Sequence, residues 1–361
     1  MLVPPYLLVL LVEAITPFLT PVDVVFGVRL PSDRVRDPVV QAVRRRYWLG
    51  LGAVAAVGGA AGGVAATAGL ALAGPITVVT TVVAGFVNVA VAHAALERAK
   101  QRERWMAPYH QVTMASLDHE PEPLTGLGIP GWIALGLVLV TIVSVVVRYP
   151  GLPTRFPVHF GLNGVPNRYA VKSVSAVTEL LLPDGAAVLL LALARLVRRV
   201  RRDLDPARPD ASYRQQAVFA RRNQLLIEAA GLLVAVEGLV VSLSVLGLLD
   251  LRGAWALGVT LFPVGVFVAA VLVVAIRTGQ SGARVAVAEA PDQPGVVHRD
   301  DDRYWWAGQV YLNHDDPAWL VPKRFGYGYT VNFGHRHAWL VLALLLILIA
   351  AGPILATLAS H

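Results

Sequence analysis

Long apolar blocks alternate with short polar stretches along the whole chain. Asp, Glu, Lys and Arg are absent from Tyr47 to Leu96, Leu124 to Val147, Gly253 to Ile276 and His337 to His361. About 20 helical residues cross a hydrocarbon core of about 30 Å, so runs of this length predict transmembrane helices. The pattern predicts eight of them. The first runs from Val3 to Thr20 and is interrupted by Pro17. The second spans Tyr47 to Ala73, and after a Gly74-Pro75 turn the third spans about Ile76 to Leu96. The fourth covers Gly131 to Val147, and the fifth, broken by Pro183, covers Val174 to Val197. Asn223 to Leu249, Trp255 to Ile276 and Ala338 to Leu358 complete the set. The expected fold is an all-α integral membrane protein with about eight transmembrane helices and a small β-containing cytoplasmic lobe. By domain, residues 1–276 form a membrane bundle. Residues 277–337 form a cytoplasmic segment with an aromatic-rich domain at about 300–334, and residues 338–361 are the final membrane helix.

Charge orients this scheme. The chain is 56% hydrophobic and only 15% charged, against about 25% charged in soluble domains. Of its Lys and Arg residues, 26 fall in the loops after the first, third, fifth and seventh helices, and 5 in the others. The positive-inside rule makes the first group cytoplasmic. Both termini and the Leu152–Lys172 loop then lie outside, and the expected location is the cell membrane, multi-pass. The net charge of +7 follows from these loops and implies no nucleic-acid partner. There is no cysteine, which excludes disulfides and Cys-ligated metals. The first apolar run lacks a basic leader and a small-residue cleavage site, so it reads as an anchor.

Several positions stand out from lipid-facing sequence. Glu13, Asp184 and Glu237 fall near the middle of their runs, and Glu179 sits in the same run as Asp184. A charge at bilayer depth is costly, so such residues face the bundle interior or water. They read either as a proton or cation site or as neutral acids bonded across helices. Pro183 frees a carbonyl beside Asp184 and kinks the helix. Glu228 and Glu237, nine residues apart, point to opposite faces of an ideal helix. Asn88 and His93 read as internally bonded. Gly58, Gly59, Gly62 and Gly63 form overlapping G-x-x-x-G spacings that let another helix approach closely. The approach is either inside one bundle or in a homodimer through Gly58 and Gly62. The Arg198–Arg222 loop reads as topogenic, with contact to membrane lipid.

Near the C-terminus, Trp305, Tyr311, Asn313, Asp316, Pro317 and Asn332 belong to a segment too ordered in composition for a linker. Gln309–Leu312 and Tyr329–Phe333 read as strands, and Asn313 to Pro317 as an Asx-type turn. Trp305, Trp306, Trp319 and Tyr329 are expected partly at the membrane interface.

The Leu152–Lys172 loop is the most distinctive stretch. Pro157, Gly161, Gly164 and Pro166 bend or restrict the backbone, which predicts a folded hairpin-like cap. His159, Asn163 and Asn167 can bond a ligand or satisfy the loop itself. A His159 ring aimed at Asp184 or Glu179 would make the loop a lid on an intramembrane site. A ring aimed into its own turn would make it a structural cap.

The pattern P-x-H-F-x-x-x-G-x-P-N-R, with Lys four residues later, is carried by Pro157, His159, Phe160, Gly164, Pro166, Asn167, Arg168 and Lys172. It resembles the signature of a bacterial polytopic membrane family of unknown function related to SdpI, the immunity protein against the sporulation-delaying toxin. The family more often has Asn at Gly161, an acidic residue at Val165, Asp at Asn167 and Trp at Tyr169. Phe26–Pro31 and Tyr47 look like a segment of larger members. Tyr304–Phe333 resembles an additional small C-terminal domain of unknown function. The resemblance implies a polytopic membrane protein with an immunity or signalling role. No catalytic set, metal set or cofactor is expected. The leading expectation is a non-enzymatic protein that senses or protects against an extracytoplasmic peptide or envelope ligand. The alternatives are a proton- or cation-coupled transporter using Glu13, Asp184 and Glu237, and a metal-dependent membrane enzyme with His159 as one ligand.

Overall fold

The structure is a computed structural model that describes residues 3–69, 73–112, 126–161, 164–197, 200–251, 253–287, 296–340, 342–344, 346–347 and 350. Helix α1 spans Val3–Leu19 and continues through Pro17. A two-residue hairpin follows, β1 (Val24–Val25) and β2 (Val28–Arg29). Helix α2 spans Pro38–Thr67 and α3 Ala73–Arg102. After β3 (His110–Val112) comes α4 (Ile129–Arg148), then β4 (Arg155–Phe160) and β5 (Pro166–Val171). Next are α5 (Val174–Leu180), α6 (Leu182–Val197), α7 (Pro209–Val245) and α8 (Ala254–Thr278). The last strands are β6 (Val296–His298), β7 (Trp305–Trp306), β8 (Val310–Tyr311), β9 (Leu320–Pro322) and β10 (Tyr329–Val331).

Among the described residues, five helices are long and apolar enough to cross a membrane: α2, α3, α4, α7 and α8. Taken as one broken span, α5 and α6, bent by 47° at Leu181, make a sixth. The eightfold reading is therefore not reached. Helix α1 is apolar but only 17 residues long, and most of Ala338–Leu358 lies outside the described residues. The break near Pro183 falls where the sequence put it.

Three expected loops are partly helical. The basic stretch before Tyr47 is the first part of α2, started by Pro38 and by the Asp37 carboxylate accepting from Val39 N at 2.9 Å, as helix N-caps do. Gly74 and Pro75 lie in the first turn of α3, where a missing N–H costs nothing. Likewise α7 begins at Pro209, inside the basic segment expected as a loop.

The chain forms two compact units. The first comprises residues 1–118, 201–219 and 275–338. Its main core joins Val25, Phe26, Val28 and Leu30 to Tyr47, Leu96, Trp105 and Phe325. The β1–β2 turn has positive φ at both Phe26 (48°) and Gly27 (78°), the geometry that matches the twist of a tight hairpin. A Cβ on Gly27 would come within 2.4 Å of Gly308 O, so the turn and the residues after β7 meet backbone to backbone. His93 Nδ1 donates to Phe26 O at 3.0 Å and Asn88 Nδ2 to Tyr47 O at 3.0 Å. Both intrahelical polar residues are thus internally bonded. Gly58 and Gly62 of α2 lie against Thr81 and Thr77 of α3 in the same chain.

The small lobe of this unit packs Trp305, Tyr311 and Val321 together. Its hub is the buried Asn332. Its Nδ2 donates to the carbonyls of Asn313 (2.9 Å), Ala318 (2.9 Å) and Asp316 (3.3 Å). Its Oδ1 accepts from Asn313 N and Gly334 N at 3.0 Å each. The Asx turn is present, with Asp315 N donating to Asn313 Oδ1 at 3.0 Å, and Pro317 follows Asp316 there. Tyr311 Oη donates to Asp316 Oδ2 at 2.9 Å. Trp306 is exposed, but Trp305 is core, a correction to the interfacial expectation for that residue.

The second unit comprises residues 119–200, 220–274 and 339–361. Ala134, Val138, Ala187, Leu191 and Ala235 join α4, α6 and α7 in a core rich in small side chains, which brings helices close in a bilayer. A second cluster, Val145, Phe156, Val158, Ala170, Ala176, Leu180 and Val245, lies under the β4–β5 hairpin.

Candidate functional site

The Leu152–Lys172 loop folds as an antiparallel hairpin with a register irregularity between Pro157 and Phe160. Strand alternation gives it two faces. Phe156, Val158 and Ala170 are buried, with Phe160 packed beside them. Arg155, His159, Asn167, Tyr169 and Val171 are exposed, and Pro157 is half-buried opposite Tyr169. Gly164 turns the tip with φ +73°, and a Cβ there would lie 1.9 Å from Leu251 O. Only glycine fits both conditions. Asn163 lies outside the described residues.

The polar signature residues are used to build the hairpin. His159 Nδ1 donates to Asn167 Oδ1 at 2.6 Å. Its ring therefore engages its own hairpin, which favours the cap over the lid. Arg168 pairs with Glu179 of α5, so the half-buried strand and the following helix are tied by a charge-assisted bond. Lys172 Nζ donates to Pro150 O (2.9 Å) and Leu152 O (3.2 Å) and lies 4.8 Å from the Tyr149 ring centre. It ties the end of β5 to the residues after α4. Ser173 then caps α5, accepting from Ala176 N at 3.3 Å. Glu179 is thereby explained as the partner of Arg168.

Residues 136–178 match a domain of unknown function, DUF1648. The match runs from α4 through the hairpin into α5. Residues 314–339 match a family of unknown function, DUF5808, over the lobe held by Asn332. No curated protein matches the chain, and no solved structure does. Both matches fall on the segments that stood out in the sequence.

The remaining carboxylates separate by surroundings. Glu13 belongs to the first unit, where its carboxylate faces α3 at Gly85, 2.7 Å from where a Cβ would sit. Asp184 and Glu237 belong to the second. Asp184, in the first turn of α6, is buried, and among the described residues neither carboxylate oxygen has a hydrogen bond of ordinary geometry, although the Thr141 hydroxyl of α4 lies near it. It lies against α7 at Gly238, whose Cβ would be 3.4 Å from Asp184 Oδ2. Glu237 Oε1 and Ser242 Oγ, also on α7, are likewise buried and unpartnered. Glu228 has a structural role. Both its oxygens accept from Gly128 N, at 2.9 and 3.1 Å, and it accepts from Gln224 at 2.8 Å. A buried acid there supplies the acceptor that the start of α4 lacks. Among the described residues no three His, Asp or Glu side chains are arranged to hold a metal ion.

Sequence reading missed an ionic network in the first unit. Asp302 accepts from Lys100 Nζ at 2.6 Å, from Arg29 N at 3.3 Å and from Arg324. Arg324 also pairs with Asp301, Lys100 with Asp300 at 2.9 Å, and Arg29 with Asp203 at 2.7 Å. Burial works against the Asp203 charge, but Arg29 and His298 hold its carboxyl well below the usual range. The available signal was the Asp300-Asp301-Asp302 run, acidic in an otherwise basic setting. Its partners Arg29, Lys100 and Arg324 are distant in sequence.

Proposed function

We propose that the protein is a non-enzymatic, multi-pass membrane protein of envelope sensing or immunity type. In this reading the β4–β5 hairpin is the element that meets an extracytoplasmic peptide or envelope ligand. The observation that carries it is the division of the hairpin into two faces. One face is sunk into a core and braced by the Arg168–Glu179 pair. The other presents Arg155, Tyr169 and Val171 to solvent. A rigid face of one cation and apolar or aromatic side chains is suited to recognition. The resemblance of the signature to the SdpI-related family supports the same reading. In the accompanying topology the hairpin and both termini are outside and residues 277–337 are inside.

The experiment is a set of outer-face variants, Arg155→Ala, Tyr169→Ala and both together, in the native host. Normal membrane levels with loss of a toxin or envelope-stress phenotype are expected. Normal levels with every such phenotype intact would sink the proposal. Topology is tested by single cysteines at Tyr169 and Asp315, in a background with no native cysteine. An impermeant thiol reagent applied to whole cells should label Tyr169→Cys and spare Asp315→Cys.

A second reading, proton- or cation-coupled transport, is favoured by the unpartnered oxygens of Asp184 and Glu237 in one unit. Proteoliposomes in which Asp184→Asn and Glu237→Gln leave ion flux unchanged would remove it.

A further inference from the structure

The first unit holds a cavity of about 500 Å³, within the range of small-molecule sites. Its wall includes Asp23, Arg29, Arg201, Trp305, Lys323 and Arg324. Three donors on this wall lack partners. Arg29 Nη2 is engaged by Asp203, yet its Nε is buried and unbonded. The Nε1 of Trp305, a core residue, is also buried and unbonded. The Lys323 ammonium has no ion-pair or hydrogen-bond partner among the described residues. Unsatisfied buried donors such as Arg29 Nε and Trp305 Nε1 are rare in folded proteins, and each calls for an explanation; Lys323, half-buried, adds a free charge beside them.

The wall is held in place by bonds that leave those donors free. Gln280, fully buried, donates from Nε2 to Lys323 O at 2.8 Å and to Gly328 O at 3.0 Å, and accepts from Gly328 N at 2.8 Å. That clamp fixes the backbone of Lys323. Arg324 is anchored by Asp301 and Asp302 and lies 5.3 Å from the Trp305 ring centre. The carboxylates on the wall are mostly taken: Asp203 by Arg29, Asp205 by Arg208 and Asp301 by Arg324. Asp23 is the exception, and burial pushes its carboxyl up despite Arg29. Arg29 Nε, Trp305 Nε1 and the Lys323 ammonium are thus donors that await an acceptor.

We infer that this cavity binds a small molecule through a phosphate- or carboxylate-type oxyanion, received by Lys323, Trp305 Nε1 and Arg29 Nε. The same chemistry is offered by a free phosphorylated metabolite and by the headgroup of an anionic phospholipid. The inference is independent of the hairpin reading, since it uses other residues in another unit.

The test uses the full chain in nanodiscs of phosphatidylcholine, titrated with pyrophosphate and with ATP by calorimetry. A parallel arm replaces part of the lipid with phosphatidylglycerol and follows the melting temperature, which a ligand raises by binding the folded state. Saturable binding in either arm is expected, weakened at least tenfold by Lys323→Gln and several-fold by Trp305→Phe. Lys323 makes no side-chain bond, so Lys323→Gln is expected to melt like the parent without ligand. Binding in the first arm assigns a free metabolite, and a shift confined to the second assigns a lipid headgroup. No saturable response in either arm, or binding that both variants retain in full, overturns the inference.

Discussion

Two buried aspartates, one in each compact unit, sit in opposite company. Asp302 is 5% exposed and is met by Lys100, Arg324 and the Arg29 backbone. Asp184 is 2% exposed, and among the described residues neither of its oxygens has a hydrogen bond of ordinary geometry. The difference teaches what burial alone does not. A buried charge that is paired becomes part of the frame, and removing one partner strands the others. A buried acid without partners adds no such bond, so its presence in an apolar bundle asks for a use.

The comparison can be broken most directly at Asp302. Asp302→Ala takes a shared buried acceptor from Lys100 and Arg324, which keep Asp300 and Asp301 as partners, and is expected to cost about 3 kcal/mol, read from unfolding in detergent. A loss as small as that for Asp184→Asn would show that the network does not hold the unit together. Next in size is Asn332→Ala, which removes both faces of the lobe's hub. About 2–3 kcal/mol is expected from the buried carbonyl and N–H groups left unmatched, with the β9–β10 region losing amide protection first.

A pH series sharpens the same contrast. His298 lies 3.7 Å from Asp203, yet burial, and then Arg29, push its pKa down to about 3. An unfolded histidine titrates near 6.5. Between these values the unfolded chain holds the proton and the folded chain does not. The contribution of His298 to stability is therefore full above about pH 6.5 and declines as the pH falls toward 3. His298→Gln should flatten that decline, and an unchanged slope would count against it.

Smaller effects are expected in the second unit. The exposed His159–Asn167 bond should contribute no more than about 1 kcal/mol, so His159→Ala should leave the hairpin folded by circular dichroism. Smallest is Asp184→Asn, expected within about 0.5 kcal/mol of the parent because no partner is lost. A large loss there would reveal a bond to Asp184 and erase the difference between the two aspartates.

Much of this was legible in the sequence. The apolar runs gave α3, α4 and α8 nearly to their ends, because a charge-free stretch of that length has few other uses. Pro183 marked the break between α5 and α6, and the turn residues of Leu152–Lys172 marked a hairpin. The starts of α2 and α7 fall in stretches that read as loop, because Arg44, Arg45 and Arg46 and then Arg214, Arg221 and Arg222 make those stretches basic and polarity points to loop. Local capping by Asp37 and initiation at prolines outweighed that pattern.

By itself, then, the sequence determined that this is a helical membrane protein with a turn-rich, folded loop and a small aromatic lobe. Hydrophobic length and turn chemistry are local properties, written in consecutive residues. Only the tertiary structure decided that His159 bonds Asn167, that Glu228 serves the start of α4, and that Asp184 lacks an ion-pair partner among the described residues. It alone brought Arg29, Lys100, Asp203, Asp302 and Arg324 together, beside a cavity lined by Arg29, Asp203 and Arg324. Pairing of that kind depends on which distant segments meet, and no periodicity records it.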